Sequence, residues 1–199
     1  ALEVARALSV RLDASMVASN VSRLVYDCNR PPSAPDAMPA QSEAILIEGN
    51  AHLTAAQRRD RTSRYYDPFR ACLAATIAAR QNPVVVTVHS FTPVYHGHPR
   101  TVEIGILHDA DARLADAMVQ VAQSHTQAKV EINAPYGPED GVTHTLKEHA
   151  IGAGHLNVML EIRNDLIKNT AQQDAMADCL STWLSDALAV LNVPLEVPC

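Results

Sequence analysis

The run VVVTVHSFTP at residues 84–93 constrains the fold more than any other stretch of the chain. Successive β-branched residues have no polar face to turn to water, so they read as a strand covered on both sides, the kind that lies inside an α/β sheet. The run ends on His89 and Ser90, placing an imidazole at the carboxyl end of the strand, where open α/β sheets keep their ligand crevices. An imidazole there can be a metal ligand, a general base or a hydrogen-bonded structural group. The segment LNVMLEIRNDL at residues 156–166 repeats the device with Glu161 and Arg163. Glu161 shares a strand face with Asn157 and Met159, and burial of that sort raises a carboxyl pKa and suits it to accept a proton from water. The alternative is a salt bridge to Arg163, two positions along the same face. Two apolar strands that deliver a His and a Glu to one sheet edge suggest metal-assisted hydrolysis.

Around these strands helical and strand periodicities alternate, the signature of a sheet covered by helices on its faces. Leu2, Val4, Ala5, Leu8 and Leu12 form an opening helical stripe with no capping residue before it, so the chain reads as beginning inside a helix. Residues 16–25 are expected to form a strand, and the prolines from Pro31 to Pro39 a surface loop. Thr54 with Gln57 is a capping-box pair that opens a long helix reaching about Arg80, broken near Asp67-Pro68. After the His89 strand the pattern gives a loop at 92–100, a strand at 102–107, a helix over 111–124 and a short strand at 129–133. Turn chemistry then fills 133–141, and a short helix over 143–150 ends at Gly152. Asn169 and Gln172 cap a last helix that turns Met176, Leu180, Trp183, Leu184 and Leu188 inward, and residues 192–199 are expected to be an irregular tail.

With 199 residues, 47% of them hydrophobic, the chain can bury a sizeable core and is expected to be one domain, residues 1–199. A formal net charge of -6 argues against a nucleic-acid footprint, which needs clustered Lys and Arg. No apolar run approaches the roughly 18 residues that cross a bilayer, and the first residues carry charges where a signal peptide is apolar, so the expected compartment is the cytoplasm. Cys28, Cys72, Cys179 and Cys199 form no CxxC pair and read as ordinary thiols.

Arg23, Asp27, Asn29 and Arg30 make a dense polar cluster. Guanidinium forks bind carboxylate substrates with fixed geometry, although such residues can equally be solvated loop. His144 and His149 are five apart and do not share a helical face. His96 and His98 read as surface residues or the rim of the crevice.

In series, SRLVYDCNRPP, TVHSFTPV, VEIGILHD, NAPYGPEDGVTHTLKEHA and NVMLEIRNDLI resemble the N-formylglutamate amidohydrolase family over most of the chain, from Ala1 to about Leu188. The resemblance implies an α/β fold with a three-layer mixed β-sheet and helices on both faces, similar to zinc carboxypeptidases and aspartoacylases. It also implies a zinc-dependent hydrolase that cleaves the formyl amide of N-formyl-L-glutamate, as in bacterial histidine degradation. His89 looks like a zinc (Zn2+) ligand and Glu161 like the catalytic glutamate that activates water. Arg23, Asn29 and Arg30 match the family's SRLVxDxNR pattern and Arg163 its EIRxD pattern, which implies recognition of substrate carboxylates. Tyr136 and His149 match further polar positions, and with Ser90 of the TVHSFTPV motif they are expected to be substrate-binding. Two features depart from the family: a histidine-bearing segment upstream of the first helix is missing, so the remaining metal ligands are expected there, and Ala134 stands where an acidic residue is common. The expected partner is a small acidic N-acyl amino acid, without nucleic acid or membrane, and a homo-oligomer is left open. The rival readings are a metal-free anion-binding module and a carboxypeptidase-like peptidase.

Overall fold

In a computed structural model of the protein, which describes residues 1–194, the chain forms two compact units, one of residues 1–16 together with the chain from Pro83 onward, the other of residues 17–82. The part of the expected irregular tail at 195–199 lies outside the described residues.

The first unit opens with α1 (Leu2–Arg11), whose Val4 and Leu8 are buried and whose first residue offers no side-chain cap, as the uncapped stripe implies. Residues 16–25, which lead into the second unit, form no strand. Their backbone is satisfied locally instead: the Val25 and Tyr26 N–H groups donate to the Ser22 carbonyl, and the Leu24 N–H to the Ser22 hydroxyl at 3.2 Å. Serines compete with a sheet ladder in this way, and here they win. The proline-rich loop is likewise less superficial than its composition suggests, since Ala37 and Met38 are buried with Tyr26, Cys28 and Tyr66 in a small core. Beyond it lie β1 (Gln41–Ser42), β2 (Ile45–Leu46) and α2 (Glu48–Ala51). Then comes α3 (Ala55–Arg61), opened by the capping box of Thr54 and Gln57. The expected break is a π-helical turn over Thr62–Tyr66, after which α4 (Asp67–Ala78) starts with Pro68 in its first turn, where a missing N–H costs nothing.

The remaining elements belong to the first unit: β3 (Val85–Phe91), β4 (Val94–Tyr95), β5 (His98–Pro99), β6 (Ile104–Leu107), α5 (Arg113–Val121), β7 (Val130–Ile132), α6 (His144–His149), β8 (Asn157–Arg163) and α7 (Thr170–Val190). The stretch at 92–100 is thus a small hairpin, β4 against β5, rather than a plain loop. The main sheet is mixed, in the order β3-β8-β6-β7. β8 runs parallel to β3 and antiparallel to β6, and β6 runs parallel to β7. The strand bearing Glu161 is therefore internal to the sheet, as its nearly continuous apolar run requires.

One set of alternating residues builds the core. Val158, Leu160 and Ile162 of β8 pack with Ile104 and Ile106 of β6 and with the partly buried Val86 and Val88 of β3, against α1, α5 and α7. The side chain of Asn169 caps α7 by accepting the Gln172 N–H at 3.0 Å. Trp183, fully buried on that helix, donates its indole N–H to the Met118 carbonyl of α5 at 2.7 Å. α6 packs against β3 and β8, and among the described residues no helix is long and apolar enough to cross a membrane.

Truncating the core aromatic removes both its packing and this hydrogen bond. Trp183→Ala should lower unfolding free energy by roughly 3–5 kcal/mol in urea titration, and Trp183→Phe by less.

Candidate active site

Because side chains alternate along a strand, the residues that do not enter the helix-covered core project from the other face of the sheet. On β3 these are Thr87, His89 and Phe91, and on β8 they are Asn157, Met159, Glu161 and Arg163. The register sets His89 directly beside Glu161 and Phe91 beside Arg163. Adjacent strands lie about 4.8 Å apart, so imidazole and carboxylate leave the sheet as neighbours on one face. Both strands end within two residues of the pair, at Phe91 and Arg163, and the pair therefore sits at the carboxyl edge of the parallel ladder. Glu161 is buried at 4% exposure, while His89 is half-buried.

Gly105 of β6 lies opposite Glu161 on the other side of β8. A Cβ at Gly105 would meet the Ala134 carbonyl oxygen at 2.0 Å, so the loop after β7 lies directly on the sheet beside Glu161. The same loop carries Tyr136, and its Ala134-Pro135 peptide is cis. Only glycine lets a backbone approach a strand this closely.

Arg163 does not reach for Glu161. Its Nε donates to Asp165 at 2.8 Å, its Nη2 to Glu103 at 3.1 Å and its Nη1 to the Arg100 carbonyl at 3.3 Å. The hydrogen bond from Arg163 holds the Asp165 carboxyl below its ordinary value, against burial that pushes it up. This network fixes the end of β8 and joins it to residue 100 and to Glu103, just ahead of β6.

His149 is the last residue of α6, whose start is moored by Asp109. The Thr143 hydroxyl donates to Asp109 at 2.6 Å and the Lys147 ammonium lies 3.0 Å from the same oxygen. Burial pushes the Asp109 carboxyl up, but Thr143, Lys147 and the Ala110 N–H together bring it below its ordinary value. Ser90 follows the opposite alternation: it is registered beside Ile162, whose side chain enters the core, and is not brought to His89 and Glu161. His96 and His98 are exposed in the hairpin.

In the second unit Arg23 is exposed and paired with Asp27 at 3.3 Å. Asn29 and Arg30 are buried: the Asn29 N–H donates to Asp27 at 3.0 Å, and Arg30 donates through Nε to Asp36 at 2.6 Å and through Nη1 to the Asn29 carbonyl at 3.1 Å. Asp27, Asn29 and Arg30 are thus an organised turn rather than solvated loop, with Arg23 at the surface beside it.

The described residues contain no group of three or more His, Cys, Asp or Glu side chains arranged to hold a metal ion. His89 offers one suitable donor, whereas a catalytic zinc takes three protein ligands, so these residues alone do not make a zinc site.

A family model for N-formylglutamate amidohydrolase matches residues 2–168. The chain belongs to the N-formylglutamate amidohydrolase family. A crystal structure of a gene product from Agrobacterium tumefaciens is 55% identical, with a TM-score of 0.93, covering 96% of this chain and 77% of that one. The crystal structure of N-formylglutamate amidohydrolase from Ralstonia eutropha is similar in fold, with a TM-score of 0.58 at 15% identity, covering 96% of this chain and 85% of that one. No curated protein matches the chain.

Sequence reasoning passed over Glu103, Gly105 and Arg100. A lone glycine within VEIGIL is itself a sign of close backbone approach and could have located the loop contact. Glu103 carries no comparable sign, because its partner Arg163 is distant in sequence, and Arg100 none, because the rings around it converge only in the fold.

Gly105→Ala should drive the loop at 133–137 off the sheet and destabilise the fold by about 1–3 kcal/mol in urea titration, as overpacked sites do. Asp165 gives a pH test. A carboxyl depressed in the folded state contributes stability above its unfolded pKa, near 3.9, and that contribution is lost as pH falls through the folded value. Below about pH 4 the wild-type protein should therefore lose stability more steeply than Asp165→Asn, as measured by melting temperature against pH.

Proposed function

We propose that the chain is a zinc-dependent amidohydrolase that cleaves the formyl, or a similar acyl, amide of an N-acyl acidic amino acid such as N-formyl-L-glutamate. The observation that carries this reading is the in-register pairing of His89 with Glu161 at the carboxyl edge of β3 and β8, in a chain whose family is named for that hydrolysis.

Glu161 has the placement of a general base. Internal to the sheet and buried, its carboxylate takes a proton from the water that attacks the acyl carbon, and the tetrahedral adduct collapses when that proton passes to the departing nitrogen. The C–N bond breaks, and formate and the free amine of the amino acid leave. Water supplies the oxygen of the formate and the hydrogen of the amine, so nothing else is consumed. Zinc belongs to the proposal with His89 as one ligand; the described residues do not supply the remainder of a ligand set. Arg23, Asn29 and Arg30 are assigned to substrate carboxylate recognition within an organised turn, with Asp27 and Asp36 setting the guanidinium directions. Arg163, already balanced by Glu103 and Asp165, contributes by fixing the strand end beyond Glu161. Tyr136 lines the loop over the sheet, and His149 belongs to the same proposed site. A fold of the zinc-carboxypeptidase and aspartoacylase kind is part of the proposal, supported by the mixed sheet with the pair at its edge.

Formate release from N-formyl-L-glutamate, followed together with metal content, tests the reading. Glu161→Gln should keep the metal content of the wild type and lose turnover by roughly 100-fold or more. His89→Ala should lose metal and activity together. Full turnover by Glu161→Gln contradicts the assigned base, and a wild-type protein that binds L-glutamate but hydrolyses nothing points to the anion-binding module instead.

A further inference from the structure

One cation on the site face is held without a counter-charge. Arg100 follows β5, and its guanidinium carbon lies 4.4 Å from the ring centroid of Tyr95, 4.8 Å from that of Tyr136 and 5.5 Å from that of Phe91. Among the described residues no carboxylate is within ion-pair distance of it, and its one side-chain hydrogen bond is a long one, 3.5 Å from Nη1 to the Thr92 carbonyl. Two of the three rings tie Arg100 to the catalytic pair. Phe91 is the next residue beyond His89 on the same face of β3, and Tyr136 belongs to the loop that lies on Gly105 beside Glu161. The Arg100 carbonyl is further held by Arg163, two residues past Glu161.

Aromatic rings attract a cation through their faces without occupying its N–H donors. A guanidinium steadied in this way keeps an in-plane fork of donors free for a planar anion, which ammonium groups cannot imitate. Arg163 has the same neighbourhood but has its donors committed to Glu103 and Asp165.

We infer that Arg100, bracketed by Phe91, Tyr95 and Tyr136, is a carboxylate receptor that binds one of the two carboxylates of the acidic substrate by a bidentate contact. The inference rests on the hydrolase reading for the identity of the ligand. It names a residue outside the family patterns from which Arg23, Asn29, Arg30 and Arg163 were assigned. A substrate with two carboxylates calls for more than one cation, and Arg100 supplies one of them on the unit that carries His89 and Glu161.

Calorimetric titration of L-glutamate, the amino acid product, into the full chain reads this contact without turnover. Arg100→Met should weaken L-glutamate binding by about 10- to 100-fold, the scale of a charged hydrogen-bonded contact, and Arg100→Lys should recover only part of the loss. Titration of L-norvaline, which lacks the side-chain carboxylate, tells which end is held. If Arg100 takes the side-chain carboxylate, Arg100→Met leaves norvaline binding unchanged; if it takes the α-carboxylate, norvaline binding falls by the same factor. Wild-type affinity for L-glutamate in Arg100→Met overturns the inference, as does a wild-type protein that fails to bind L-glutamate. A loss accompanied by a lower melting temperature and not relieved by Arg100→Lys also overturns it, since Arg100 would then serve only to hold the hairpin. The two readings fail separately: formate release with an unchanged KM in Arg100→Met removes the receptor and keeps the hydrolase. Arginine-dependent L-glutamate binding without hydrolysis does the reverse.

Discussion

The parallel register between β3 and β8 is the constraint on which the rest of the site depends. Side chains alternate with a period of two, so a slip of one residue between these strands would exchange the two faces of β8 relative to His89. Glu161 would enter the layer now filled by Val158, Leu160 and Ile162, and a carboxylate would have to be buried among the apolar side chains of α1, α5 and α7. Burying an uncompensated charge costs more than a domain of this size can spare. The core therefore enforces the site: apolar packing on one face fixes which polar side chains meet on the other.

Around that register the chain adds two anchors. Gly105 lets the loop at 133–137 rest on the sheet next to Glu161, and the network of Arg163 with Glu103, Asp165 and the Arg100 carbonyl pins the strand end. Neither anchor touches the proposed chemistry directly. Both limit how far the carboxylate and its surroundings can move, and positioned groups are what hydrolysis by a general base requires.

How much of this was legible in the sequence follows from how local each signal is. The strands of His89 and Glu161, the caps at Thr54 and Asn169 and the helix break before Pro68 were all legible, because each rests on neighbours within a few positions. The proposed strand at 16–25 failed because Ser19 and Ser22 turn the backbone back on itself, a competition that hydrophobicity does not register. The hairpin at 92–100 was missed because β4 and β5 are only two residues each. At the site, the strand face shared by His89 and Phe91 could be read from alternation, but the register that sets Glu161 beside His89 could not. Ser90 lies on the opposite face of β3 from His89, beside Ile162, because neighbours along a strand point to opposite faces. Arg100 is bracketed by rings 9, 5 and 36 positions away, contacts that only the folded chain defines.

The neighbouring imidazole and carboxylate on β3 and β8 form the reacting centre under the proposed function. A crystal structure of the protein with L-glutamate bound tests it most directly. The amine nitrogen, which marks where the acyl amide was cut, should lie within about 3.2 Å of the Glu161 carboxylate or one water from it, on the face of the sheet that carries His89. L-glutamate ordered elsewhere on the chain, with its amine out of reach of both residues, would contradict the account.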